Sequence, residues 1–133
     1  MQVLKFGGSS VANAENIKKV IHILQQKTAR DTTLVVVSAL GGITDLLLEA
    51  CNLAASGKEG YKENLAIIEQ RHLQAVRELI PITGQSTVLS FVKSHCNEME
   101  DMCKRILLLK ELSARTKERM SSYGELLSAR IIT

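Results

Sequence analysis

Aromatic side chains and an excess of charge of either sign are scarce in this sequence. Its 133 residues include two phenylalanines, two tyrosines and no tryptophan, and 17 Lys and Arg residues stand against 14 Asp and Glu residues, a net charge of +3. Proteins that bind single-stranded nucleic acids stack bases on aromatic rings and carry strongly basic grooves. The composition therefore argues against a nucleic-acid partner.

Cysteine is also scarce, and long apolar runs are missing. Three cysteines cannot form a complete set of disulfides, so we expect reduced thiols and a cytoplasmic location. His95, Cys96 and Cys103 lack a fourth ligand at zinc-site spacing, which favours core packing, and no metal site is expected. No apolar run approaches the roughly 18 residues of a membrane helix, so no membrane contact is expected.

Two short segments have the composition of β-strands. They are residues 2–6 and residues 32–38, and the second contains the run Leu34–Val37. A continuous β-branched run predicts a strand that is buried on both faces, as in a parallel sheet. Between the strands, residues 14–30 have apolar positions at helical spacing, and Asn13 is a suitable N-cap. This order predicts an α/β fold with a strand–helix–strand unit.

The rest of the chain, from about 44 to 133, is predicted to be largely helical. Apolar residues recur at helical spacing over about 44–55, 62–79 and 86–109, and again from about Ser113. Pro81 and Gly84 are expected to separate the second and third of these helices. The apolar stripe of 86–109 could be a dimer face, but stripes of this length more often belong to a core.

Two strands do not make a stable open α/β sheet, because strands of that type normally lie between partners. We therefore expect the 133 residues to be the N-terminal part of one domain whose remaining strands follow. The alternative is a complete, mostly helical chain with a two-stranded ribbon. If strands are missing, the chain is expected to self-associate through its open sheet edge.

The end of the first strand is suited to binding an anion. Lys5 precedes Gly7, Gly8 and Ser9, where the glycines let the backbone approach a ligand and successive N–H groups can cradle an anion. The helix that follows would add the positive end of its dipole. Alternatively, this is an edge strand whose lysine extends to water, followed by an ordinary glycine turn.

Two further segments carry polar side chains at element ends. Ser38 and Thr44 flank a glycine turn, and both hydroxyls could point at one carboxylate; alternatively, Thr44 is only a helix N-cap. Glu125 could pair with a ligand amine, with Gly124 giving the ligand room. Alternatively, Ser122 and Glu125 form a capping box at the start of a helix.

Together, these three segments resemble the aspartate kinases of the amino-acid kinase superfamily. The resemblance lies in Lys5-Phe6-Gly7-Gly8-Ser9-Ser10-Val11, in Val36-Val37-Ser38-Ala39 with Gly42-Ile43-Thr44-Asp45, and in Ser122-Tyr123-Gly124-Glu125-Leu126-Leu127-Ser128. The opening segment most resembles the bifunctional aspartokinase–homoserine dehydrogenases. The resemblance implies the N-terminal portion of a three-layer amino-acid-kinase fold.

The resemblance also implies the reaction, in which ATP and L-aspartate give ADP and 4-phospho-L-aspartate, a step toward lysine, methionine and threonine. Lys5 would neutralise charge on the transferred phosphoryl group. Gly7, Gly8 and Ser9 would contact the phosphates of ATP, which enters with Mg²⁺. The residues implied for aspartate are Ser38 and Thr44 for its side-chain carboxylate and Glu125 for its α-amino group.

The family's later glycine-rich segment, its adenine-binding half, its regulatory domains and any dehydrogenase domain have no counterpart in these residues. The resemblance therefore implies a piece that is inactive by itself, within an enzyme that is a homo-oligomer. Two other hypotheses remain at this point. One is a superfamily kinase acting on a glutamate derivative, carbamate or a nucleotide, and the other is a non-catalytic helical interaction module.

Overall fold

The structure, a computed structural model, describes residues 1–133. Strands and helices follow one another in the order expected from the sequence. The elements are β1 (Gln2–Phe6), α1 (Ala14–Thr28), β2 (Thr33–Val37), α2 (Ile43–Ala55), α3 (Tyr61–Leu79), α4 (Ile82–Leu109) and α5 (Ala114–Ile132). The chain is thus an α/β protein in which a short sheet precedes a large helical part.

The two strands form a parallel sheet whose register pairs Gln2 with Thr33 and Phe6 with Val37. The expectation that β2 is buried on both faces is wrong. Leu34 and Val36 remain 53% and 44% exposed, although Phe6 and Val37 pack against the core on the opposite face. The helices of this chain cover one face of the sheet, and the other is open.

Local signals account for the start of α1. Asn13 caps the helix as predicted, because its side-chain oxygen accepts a hydrogen bond from the N–H of Asn16 at 2.9 Å. Glu15 lies in the first turn, where a carboxylate favours the helix dipole. Ile17 and Val20 are buried and attach α1 to the core.

Helices α2 to α5 pack together around one apolar core. Val88, Val92, Met99 and Ile106 of α4 are all buried in it. The stripe of residues 86–109 is therefore a core face. It is not available as the dimer face that the hypothesis of a helical interaction module required. No helix of the chain combines the length and the apolar character that a bilayer crossing requires.

One boundary prediction and one alternative in the helical part are wrong, whereas the predicted start of the last helix near Ser113 is confirmed. Helix α4 begins at Ile82, so Gly84 lies inside its first turn, and only Pro81 marks the break from α3. Proline is tolerated at a helix start because the first N–H groups have no intrahelical acceptor. Helix α5 is capped by Ser113, so Ser122 and Glu125 lie within it and form no capping box. Instead, the Ser122 hydroxyl donates to a carbonyl of the preceding turn.

Candidate functional site

The two strand ends lie side by side because the sheet is parallel. Lys5 pairs with Val36, and the N–H of Ser38 donates to the carbonyl of Phe6 at 3.0 Å. The segments that follow β1 and β2 therefore leave the same edge of the sheet. In open α/β sheets, ligands bind beyond this carboxyl edge.

The loop after β1 has backbone N–H groups that are free to bind a ligand. A turn brings the N–H of Ser10 to the carbonyl of Gly7 at 3.0 Å, whereas the N–H groups of Gly8 and Ser9 donate no hydrogen bond within the chain. Nothing lies within 4 Å of the positions that a Cβ would occupy on either glycine. Unsatisfied N–H groups in such a turn attract anions.

A shallow cavity adjoins this loop at the start of α1. Its volume is about 240 Å³, and Phe6, Ser9, Ser10 and Asn16 are among the residues that line it. The side-chain amide of Asn16 donates to the Ser9 carbonyl at 3.1 Å, which fastens the loop to the first turn of the helix. The free N–H groups therefore lie close to the first turn of α1, the end at which a helix dipole is positive.

The hydroxyls of Ser38 and Thr44 are not used by the fold. The N-cap of α2 is Gly42, at a left-handed φ of 79°, and no side chain caps the helix. The alternative role of Thr44 as an N-cap is therefore wrong. Neither hydroxyl has a hydrogen-bond partner within the chain, and Thr44 is exposed. Both remain available to a ligand.

Helix α5 reaches the end of β2 through Gly124. A Cβ on Gly124 would lie 2.8 Å from the Cβ of Ala39 and 3.3 Å from Cγ2 of Ile43. Gly124 therefore serves close packing between chain segments, and the expectation that it gives a ligand room is wrong. These contacts place Glu125 next to the segments that carry Ser38 and Thr44.

The charged candidates are free of partners within the chain. Lys5 and Glu125 are exposed, and neither takes part in any of the three salt bridges. Lys5 lies on the open face of the sheet, which agrees with the alternative in which its side chain extends to water. The segment after β2 thus contacts both the end of β1 and the segment of Glu125, whereas convergence of the side chains of Lys5, Thr44 and Glu125 on one ligand stays a prediction.

Other reactive groups are not arranged for chemistry. Burial raises the pKa of the Cys96 and Cys103 thiols to about 12, and it also raises the pKa of Cys51. Thiols of this kind stay protonated and are poor nucleophiles at neutral pH. No group of three or more His, Cys, Asp or Glu side chains is arranged to hold a metal ion.

Arg71 was not predicted as a site residue from the sequence, yet it contacts the loop after β1 and the loop after β2. Its guanidinium donates to the carbonyl oxygens of Ala12 and Gly41. The neighbouring His72 is fully buried, and its Nε2 has no partner. A charged residue beside the buried stripe of a helix was the only signal in the sequence for such a contact.

Comparison with known proteins identifies relatives along the whole chain. Aspartokinase 1, chloroplastic, of Arabidopsis thaliana is 37% identical over 132 residues, which are 97% of this chain and 22% of the relative. A bifunctional aspartokinase/homoserine dehydrogenase of Buchnera aphidicola is 30% identical over 135 residues, which are 99% of this chain and 16% of the relative. The chain thus spans about a fifth of the length of these relatives.

Solved structures share the fold. Aspartokinase III of E. coli, in a complex with aspartate and ADP, superimposes on 99% of this chain with a TM-score of 0.82, at 24% identity and over 28% of its own length. The aspartate kinase of Clostridium acetobutylicum gives a TM-score of 0.67 at 26% identity, over 98% of this chain and 28% of its own. Since the family match runs over residues 1–133, the chain belongs to the amino acid kinase family.

Proposed function

We propose that this chain is part of an aspartate kinase, which transfers the γ-phosphoryl group of ATP to the side-chain carboxylate of L-aspartate. The observation that carries the proposal is the packing of Gly124 against Ala39 and Ile43, which brings the segment of Glu125 to the end of β2, beside the end of β1 in the parallel sheet. Relatives named as aspartokinases support the choice of substrate.

The phosphate side of the reaction is assigned to the loop after β1. The free N–H groups of Gly8 and Ser9, together with the backbone of Gly7, would contact the phosphates of ATP. The ammonium of Lys5 would neutralise the charge that develops on the transferred group. Mg²⁺ would enter with the phosphates of ATP. No group of three or more His, Cys, Asp or Glu side chains is arranged to hold this ion, so none of them is given a role in binding it.

The aspartate side is assigned to the segments after β2 and on α5. The hydroxyls of Ser38 and Thr44 would donate to the side-chain carboxylate, and the carboxylate of Glu125 would bind the α-ammonium group. An aspartate carboxylate has a pKa of about 3.9 and is ionised at neutral pH, so its oxygen attacks without a general base. The new bond joins that oxygen to the γ-phosphorus, and the bond to the bridging oxygen breaks to release ADP.

We further propose that the 133 residues are the N-terminal part of one three-layer kinase domain within a longer enzyme. The open face of the sheet and the coverage of about a fifth of the relatives support this assignment. Homo-oligomer formation is proposed for the same enzyme. The 133-residue chain alone is expected to release no ADP in an aspartate-dependent assay, because the segments assigned to adenine are outside it.

The test is an ADP-release assay on an aspartokinase that contains these residues. Lys5→Ala is expected to lower the aspartate-dependent rate by at least ~100-fold, the scale on which a preorganised charge stabiliser acts. Lys93→Ala, which removes an exposed lysine of α4, is the matched control and should leave the rate unchanged. Near-normal turnover of Lys5→Ala would show that Lys5 has no catalytic role. Absence of aspartate-dependent turnover in the unmodified enzyme would refute the proposed function.

A further inference from the structure

Arg71, in the middle of α3, links the loops that follow the two strands. One nitrogen of its guanidinium donates to the carbonyl of Ala12 at 2.9 Å, and the other donates to the carbonyl of Gly41. Ala12 lies in the loop after β1, and Gly41 lies in the loop after β2. A single side chain therefore connects two segments that are distant from it and from each other in sequence.

The two loops also meet directly at this point. A Cβ on Gly41 would lie 3.0 Å from the Cβ and 3.1 Å from the Cα of Ala12. No other side chain of α2 to α5 donates a hydrogen bond to either loop. The planar guanidinium can serve two carbonyls at once, whereas a lysine ammonium lacks this fixed fork.

We propose that Arg71 is a positioning residue for phosphoryl transfer. It sets the spacing between the phosphate-binding segment at Gly7–Ser9 and the carboxylate-binding segment at Ser38 and Thr44, and it touches neither reactant. The proposal rests on the function proposed above, since that function assigns the two segments to the two reactants.

Positioning of this kind acts on the chemical step. The attacking oxygen and the γ-phosphorus must lie about 3–3.5 Å apart and in line, and a displacement of about 1 Å can lower the rate by ~100-fold. Each reactant keeps its own binding groups when the loops shift relative to each other. Loss of Arg71 is therefore expected to lower kcat more than it raises either KM.

The experiment compares Arg71→Ala and Arg71→Lys in an aspartokinase that contains these residues. Arg71→Ala is expected to lower kcat by at least ~10-fold, with smaller changes in the KM of ATP and aspartate. Arg71→Lys should recover part of the loss because it can hold one carbonyl. Arg77→Ala, at an exposed position on the same helix, is the control and should keep the kcat of the unmodified enzyme.

A second measurement separates positioning from folding and needs no activity. In an aspartokinase that contains these residues, Arg71→Ala should accelerate amide hydrogen exchange at Asn16, Ile17 and Ile43, whose N–H groups donate to Asn13 and Leu40 of the two loops, and leave α4 unchanged. An unchanged kcat, or a kcat that falls only with the folded fraction, would overturn the role of Arg71 and leave the proposed function intact. An unmodified enzyme that does not phosphorylate aspartate would overturn the function itself, and the positioning role with it.

Discussion

Gly124 of α5 lies against Ala39, at the end of β2, so closely that a Cβ on the glycine would be 2.8 Å from the Cβ of Ala39. Real Cβ atoms do not approach to this distance, so either α5 or the end of β2 would have to move. The contact is the point at which the helix that carries Glu125 meets the sheet.

The first prediction concerns this contact. Gly124→Ala should lower the free energy of unfolding by about 1–3 kcal/mol, the usual effect of overpacking a core, as measured by urea denaturation of the 133-residue chain. In the longer enzyme it should also raise the KM for aspartate, because Glu125 moves with the helix.

The matched control is Gly60→Ala. A Cβ there would meet Leu53 Cδ1 at an ordinary 3.6 Å, and the residue already has helical backbone angles. Because Gly60 is the N-cap of α3, where glycine is preferred to alanine, the effect should stay within about 1 kcal/mol in either direction. Equal effects of the two substitutions would show that Gly124 is not required for close packing.

The second prediction concerns the charge of Glu125. Glu125→Gln keeps the shape of the side chain and removes the negative charge proposed to bind the α-ammonium group. A hydrogen bond to a charged group contributes about 1.5–3 kcal/mol, so the KM for aspartate should rise by ~10-fold or more while that for ATP changes little.

Glu118→Gln, at another exposed position of α5, serves as the control for this measurement. It should leave both Michaelis constants unchanged. If Glu125→Gln raised the KM for ATP and the KM for aspartate equally, the assignment of Glu125 to the α-ammonium group would be contradicted. That result would favour a kinase whose substrate has no free α-amino group.

The third prediction concerns the pH dependence of stability. Burial is the main cause that lowers the pKa of His72 below its ordinary value of 6.5. Below pH 6.5 the unfolded chain therefore binds a proton that the folded chain excludes. The contribution of His72 is complete above pH 6.5 and is lost as the pH falls toward the folded pKa.

Urea denaturation between about pH 7.5 and pH 5 checks this prediction. His72→Gln should reduce the loss of stability below pH 6.5, whereas His22→Gln, at an exposed histidine, should leave it unchanged. If the two variants lose stability with falling pH to the same extent as the unmodified chain, His72 is not the responsible group.

The fourth prediction concerns the open face of the sheet. Val3, Leu34 and Val36 are exposed on it, and the strand edges have unpaired backbone groups. The 133-residue chain is expected to self-associate in sedimentation velocity experiments, and Leu34→Lys should shift it toward the monomer. Leu108→Lys, at an exposed apolar position of α4, should not. A wild-type chain that stays monomeric at every concentration would refute the prediction.

Local sequence patterns predicted most of the fold. Apolar spacing located five helices, the composition of the strands located β1 and β2, and Asn13 marked the start of α1. The burial of Leu34 and Val36 was predicted wrongly because it depends on which elements cover the sheet. A β-branched run shows that a segment prefers a strand, but not what packs against it.

The site was harder to predict because its contacts are long-range. The S-x-x-E pattern at Ser122 is short enough to occur by chance inside a helix, and the true cap, Ser113, lies nine residues earlier. Thr44 could be assigned as a cap only while the start of α2 was unknown. Arg71 gave no local signal, since its acceptors are the carbonyls of Ala12 and Gly41 in two distant loops.

In the proposed enzyme, Lys5, Thr44 and Glu125 act on one bound pair of reactants. A crystal structure of the longer enzyme with ADP and aspartate tests this arrangement most directly. We predict that aspartate lies within hydrogen-bond distance of Thr44 and Glu125, with the ammonium of Lys5 facing the space between its side-chain carboxylate and the ADP phosphates. Aspartate bound at a site that none of these three residues touches would contradict the account.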